Sequence, residues 1–230
     1  MKVKRLLGIP DIKPFVPVKG VLQHNRILND LTRVMYSPVI EQMYDIAPKM
    51  MKRKIPEANV QQAFVMNTVY MQAEKIDNPK ILCVGSFEDT ACECLKAIGF
   101  KVDEVDPAIN YDLDMFMNLD TTFGDSYDII FSTSVIEHVY DDVLFVTEIA
   151  MLLKSGGLAI MTCDFNNRYK PGDKLPTTDI RFYTEKSLLD LMSHIPDCSL
   201  VDDPIWEIGE PDFTYEGINY SFATLVFRKN

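Results

Sequence analysis

The amino-acid sequence predicts an α/β fold: a doubly wound, mostly parallel seven-stranded sheet with an antiparallel last strand, plus a helical N-terminal extension. Three observations carry this. Short apolar runs alternate with amphipathic stretches between residues 80 and 195, which is how parallel strands and their crossover helices read. Two strand-like segments close the chain around a polar, aromatic loop, and strands joined that closely pair antiparallel. Helical spacing from Val21 onward makes the first 75 or so residues a helical extension.

Residues 1–20 are Pro-rich and without period, an irregular arm. Helical spacing follows from Val21 to about Asp45, through Leu28, Leu31, Val34 and Met35. Ser37-Pro38 is expected to reset the chain there, with Ser37 as N-cap and Pro38 as first helical residue. A further helix spans about Ala58 to Lys75. The grammar then changes. Lys80 to Gly85 is a continuous apolar run ending in Gly, as in a strand buried on both faces. Thr90 to Glu93 reads as a capping box, with a helix running to Gly99. Strands are expected at Lys101–Val105, Tyr127–Phe131 and Leu158–Thr162. An amphipathic helix runs from Asp141 to Leu153, and Thr184 caps another through about His194. The last two strands fall at about Leu200–Ile208 and Ile218–Arg228.

Of the 230 residues, 47% are hydrophobic, enough for a core that needs no disulfide or metal staple. Acidic residues outnumber basic ones 34 to 23, a formal charge of −11. That argues against a nucleic-acid partner, which calls for surplus Lys and Arg. Five cysteines form no Cys-x-x-Cys pair, so zinc is not expected and a reducing, cytoplasmic setting fits. No secretory signal and no run of membrane-spanning length is apparent. Nothing in the composition sets an oligomeric state.

Ligands of an open α/β sheet bind beyond the carboxyl ends of its strands. At the first exit, Gly85 permits close backbone approach, and the helix start near Thr90 offers free N–H groups to an anion. Asp106 ends the second strand, 21 residues past Gly85, where a carboxylate can accept both ribose hydroxyls of an adenosine. Neither Gly-x-Gly-x-x-Gly nor a P-loop is present, which disfavours a pyrophosphate-bearing cofactor.

Three segments in order carry a family resemblance: Val102 to Pro107, Asp128 to Val139 with its Glu137-His138, and Glu148 to Leu158 with Ser155 for the usual Pro. Together they resemble the class I S-adenosylmethionine-dependent methyltransferases, from Ile81 to about Met161. The resemblance implies a Rossmann-like methyltransferase domain over 76–230, behind a helical lid over 1–75. It implies S-adenosylmethionine as cofactor, with Gly85 and Ser86 meeting its methionine half and Phe87 in the same loop. Asp106 would hold the ribose. Asp120, with Thr121 beside it, sits where the family has an acid near the adenine amine, and Ser132 and Thr133 would line the floor under the sulfonium. The first loop departs from the family: only Gly85 of its glycines remains, and Cys83 stands in place of the leading acid.

His138 has three readings: general base for an acceptor hydroxyl, loop-ordering side chain, or half of a cation site with Glu137. Ser134 replaces the further carboxylate such a site uses in some relatives, so no metal is expected. Asp164 is paired with His138 as a catalytic candidate. Asp164, Arg168, Arg181 and Tyr183 lie on a long polar stretch that could grip an acceptor. The basic run Lys49–Lys54 reads as a solvated helix end or as a contact for an acceptor phosphate. The expected reaction is methyl transfer to an oxygen or nitrogen of a small polar molecule, a sugar or nucleotide-sugar being the favoured guess. Two alternatives stay open: a non-catalytic protein of the same fold with a weakened cofactor site, and a nicotinamide-dependent oxidoreductase.

Overall fold

A computed structural model describes residues 14–20, 23–119, 126–207 and 210–230. Its sheet has eight strands. Four are parallel, in the order β5-β4-β2-β3: β2 (Ile81–Val84), β3 (Val102–Val105), β4 (Tyr127–Thr133) and β5 (Leu153–Phe165). β8 (Ile218–Lys229) lies antiparallel on β5. The other edge of β8 takes three short partners: β1 (Ile27–Leu28), β6 (Cys198–Leu200) and β7 (Phe213–Tyr215). A two-residue turn joins β7 to β8. Glu216 and Gly217 have φ of +50° and +73°, as a type I′ hairpin requires.

The parallel strands follow the expected runs, because residues buried on both faces leave an unbroken apolar signature. The tail differs. The expected strand 200–208 ends at Leu200. Asp202 turns away, and its carboxylate accepts the His24 and Asn25 backbone N–H groups at 2.6 and 3.0 Å. β1 takes the vacated stretch of edge, pairing Ile27 with Ala223 and Leu28 with Phe222.

α1 (Asp30–Ile46) also differs from expectation, since it runs straight through Pro38. Pro38 has no N–H to offer the Val34 carbonyl. The Ser37 hydroxyl donates to that oxygen instead, at 2.9 Å. Asn29, not Ser37, is the N-cap. After a short α2 (Pro48–Met51) comes α3 (Asn59–Ala73), on which twelve of fifteen residues are buried. A helix buried on nearly all sides belongs in the interior. α1 and α3 pack on one face of the sheet, where Tyr36, Met43, Phe64 and Met66 meet Cys83, Phe131 and Ile160. The opposite face is covered by α6 (Asp142–Leu152) and α7 (Glu185–Ser193). Thr184 caps α7 in a capping box, as the sequence indicates. Crossover helices α4 (Thr90–Ala97) and α5 (Leu113–Met117) complete the layers.

From β2 the chain steps one way to β3 and then back past β2 to β4. The carboxyl ends of β2 and β4 therefore flank the switch point at which such sheets bind ligands.

Candidate functional site

A cavity of about 880 Å3 opens at that switch point, within the range of roughly 300–1,000 Å3 of small-molecule sites. Both strand exits leave in left-handed backbone. Gly85 after β2 has φ +79°, Glu88 +59°, and Ser134 after β4 +54°. Non-glycine residues held there mark a site whose surroundings fix the backbone.

Asp106 ends β3 and lines the cavity. Its carboxylate accepts the Phe87 N–H at 3.0 Å and the Ala108 N–H at 2.8 Å. Each oxygen keeps a further lone pair for a ligand hydroxyl. Gly85 lines the cavity too, but its missing Cβ serves another purpose than the expected one. A Cβ there would strike the Val135 side chain. The glycine makes room for Val135 rather than for a ligand.

The start of α4 is likewise filled. Asp89, not Thr90, is its N-cap and accepts the Cys92 N–H at 2.7 Å. Gln62 of α3 accepts the Ala91 N–H at 2.7 Å, and its amide donates to Asp89 at 3.2 Å. The N–H groups expected to wait for an anion are taken. Burial pushes the Asp89 carboxyl up, while the Cys92 N–H, the Thr133 hydroxyl, the Gln62 amide and the Lys54 ammonium pull it back.

The charge of the walls is lopsided. Glu88, Asp89, Asp106, Asp112, Asp114, Asp141 and Glu148 line the cavity against Arg53 and Lys54. Glu148 is pushed up to about 7 by burial and by Asp114, Asp112 and Asp141. Such a wall suits a cationic ligand and repels a pyrophosphate. Leu113, Leu144 and Phe145 supply apolar surface beside it.

His138 also lines the cavity. Its Nδ1 lies 3.1 Å from the Thr178 carbonyl oxygen and 3.3 Å from Asp179 Oδ1. Two acceptors at one ring nitrogen assign the proton to it and leave the lone pair on Nε2.

Residues 82–161 match a family described as a methyltransferase domain. The match spans 80 of the 230 residues, about a third of the chain. Solved structures agree in fold. TehB from Haemophilus influenzae superposes at TM-score 0.50 with 18% identity, over 71% of this chain and 62% of that one. The [4+2]-cyclase SpnF gives 0.52 at 15%, over 82% and 94%. CrArsM, an arsenic(III) S-adenosylmethionine methyltransferase from Chlamydomonas reinhardtii, gives 0.50 at 15%, over 67% and 64%. At these identities the likeness establishes the fold. No curated protein matches the sequence.

Of the expected residues, the cavity brings together Gly85, Phe87, Asp106, Thr133 and His138. Ser86 and Ser132 lie buried without lining it. Asp120 and Thr121 fall outside the described residues. Asp164 is not at the cavity wall. It is 4% exposed, behind His138, in a group with Asp179, Glu137 and Tyr220. Burial pushes its carboxyl well up, and Glu137 and Asp179 add to that. The bond between the two aspartates raises Asp164 and lowers Asp179. Burial raises the Asp179 carboxyl as well, while Asp164, His138 and Thr178 pull it back.

The expected acceptor grip is also redirected. Arg168 pairs with Glu210 at 2.9 Å, and Arg181 pairs with Asp142. The Tyr183 hydroxyl donates to Asp142 at 2.8 Å. These residues lock loops rather than line the cavity. Among the described residues no group of three or more His, Cys, Asp or Glu side chains is placed to hold a metal. Glu137 is fully buried, with Ser134 donating to it at 2.6 Å.

Three residues escaped the sequence reading. Asn59 is 1% exposed at the cavity wall, and neither amide atom has a partner among the described residues. Gln61 is 4% exposed there, with its Oε1 unpartnered. Asp89 is the third. The signal available was the polar trio Asn59, Gln61 and Gln62 at the head of an otherwise apolar helix.

Proposed function

We propose that this protein transfers the methyl group of S-adenosylmethionine to an oxygen or nitrogen of a small polar acceptor in the cavity at the β2–β4 switch point. The observation that carries the reading is Asp106: a carboxylate fixed by two backbone N–H groups, facing the cavity of a methyltransferase domain. The acid-rich wall supports a sulfonium cofactor over a nicotinamide dinucleotide.

When bound, S-adenosylmethionine supplies an activated methyl group that needs no covalent enzyme intermediate. The chain's own residues then position and deprotonate. Asp106 accepts the ribose hydroxyls, and Leu113, Leu144 and Phe145 offer the apolar surface for adenine. Orientation of this kind can supply about 7–11 kcal/mol of a bimolecular barrier. Nε2 of His138 takes the acceptor's proton as its oxygen or nitrogen attacks. The Thr178 carbonyl and Asp179 keep the ring in the tautomer that can do so. Three exposed aromatic residues at the cavity, Phe87, Tyr140 and Tyr215, support an acceptor with apolar faces and polar edges, such as a sugar or nucleotide-sugar. Five free, buried cysteines support the cytoplasm as its setting. Among the described residues no helix is long and apolar enough to cross a membrane.

One observation favours a second reading, a non-catalytic protein of this fold: Val135 fills the space at Gly85. Titration calorimetry separates the two. Binding of S-adenosylmethionine at micromolar concentration supports the enzyme. Absence of heat at millimolar ligand, or stabilisation by NAD instead, would overturn it.

A further inference from the structure

The segment of residues 53–62 is stitched to the loop after β2. Arg53 pairs with Glu88 at 2.7 Å, and Gln62 binds both Asp89 and the Ala91 N–H. At these stitches the cavity wall carries two groups that no hydrogen bond or ion pair among the described residues explains, Lys54 and Asn59, beside the Asp89 carboxylate. Lys54 is half-buried at the cavity wall, and its ammonium has no hydrogen-bonded or ion-paired partner among the described residues. It is near enough to Asp89 to pull that carboxyl down. The Asn59 amide is buried with four hydrogen-bonding positions and no partner. Asp89 lines the same wall, 4% exposed, its carboxylate held by the Cys92 N–H and the Gln62 amide. A buried polar group left unmade is costly, so an orphan at a cavity wall points to a ligand.

We propose that Lys54, Asn59 and Asp89 form a clamp for the α-amino-carboxylate end of the cofactor: Lys54 and the Asn59 amide take the carboxylate, and Asp89 takes the ammonium. This rests on the reading of the cavity as an S-adenosylmethionine site. Opposite charges facing one cavity match a zwitterion, and neither an uncharged ligand end nor a simple anion uses both. The clamp also answers the first loop's shortage of glycines. The α4 N–H groups are occupied by Asp89 and Gln62, and the Gly85 face is filled by Val135. A carboxylate arriving there must find its cation elsewhere, and the N-terminal extension provides it.

The test compares two probes by titration calorimetry. S-Adenosylhomocysteine carries the amino-acid end; 5′-methylthioadenosine lacks it. The wild-type protein should bind the first about ten- to hundredfold more tightly, the range of a charge-assisted pair. Lys54→Ala and Asn59→Ala should each remove most of that difference and leave methylthioadenosine affinity unchanged. Asp89→Asn keeps a residue that caps helices well, so it should fold and also lose the difference. Equal affinity of both probes for the wild type, or variants that weaken both alike, overturns the clamp while the nucleoside site stands. Failure of both probes to bind at millimolar concentration overturns the cofactor site and the clamp with it.

Discussion

His138 Nδ1 sits 3.3 Å from Asp179 Oδ1, and that carboxyl in turn neighbours the buried Asp164. The pair fixes which ring nitrogen of His138 is free. Asp179→Asn should blur that choice, because an amide can turn its NH2 toward Nδ1 and move the ring proton to Nε2. Long-range 15N–1H spectra resolve the tautomers, and the chain has only three histidines to assign. The neutral wild-type ring should carry its proton on Nδ1 alone, and the variant should show a mixture. A wild-type ring protonated on Nε2 would remove His138 as base. With an acceptor in hand, His138→Ala should cut turnover by about 100-fold or more.

Asp106→Ala should abolish S-adenosylhomocysteine binding, an affinity loss of about 100-fold or more, since charge-assisted bonds to two hydroxyls disappear together. Calorimetry reads the loss, and circular dichroism should show an intact fold. Unchanged affinity would take Asp106 out of the site.

Gly85→Ala should destabilise by about 2–5 kcal/mol. The new methyl group meets Val135, an overpacking worth about 1–3 kcal/mol, and a left-handed backbone adds about 1–2 kcal/mol. Urea melts of the Gly85→Ala/Val135→Ala double variant should recover the steric share and keep the backbone share. No recovery would mean that the two residues do not compete for one space.

Glu148 sets a pH dependence. Its carboxyl rises from its ordinary 4.5 to about 7 in the folded chain. The proton-bound form is favoured by folding, so this group's contribution is complete below pH 4.5 and lost as pH climbs through 7. Glu148→Gln should match the wild type at pH 4.5 and exceed it by on the order of 1–3 kcal/mol at pH 8. A stability difference that stays flat between these pH values would contradict the burial of that carboxyl among Asp112, Asp114 and Asp141.

The parallel core was legible because strands buried on both faces, such as Ile81–Val84 and Tyr127–Thr133, have no polar residues to interrupt them for long. Thr184 was legible as a cap because capping is local, while the Ser187 half of its capping box was not read. β1 was not, since two residues carry no period. Nor was the passage of α1 through Pro38, which depends on one rotamer of Ser37. The site divides the same way. Asp106 and His138 follow strand ends, where spacing locates them. Asp164 follows the expected strand Leu158–Thr162, but β5 runs on to Phe165 and its pleat turns the Asp164 side chain into the interior. Lys54 and Asn59 reach the cavity only because a distant helix docks on the sheet, and no local pattern records docking.

The Gln62 bridge has one further consequence. It welds α3 to the start of α4 beside the cavity, so the N-terminal helices cannot be shed as an independent piece. A polypeptide shortened to begin at residue 76 would lay bare Ile81, Cys83, Phe131, Ile160 and Val226 across a whole side of the sheet. It would also leave the Asp89 carboxyl facing solvent and the Ala91 amide unsealed. Such a fragment should clump rather than fold, however complete the matched 82–161 segment within it.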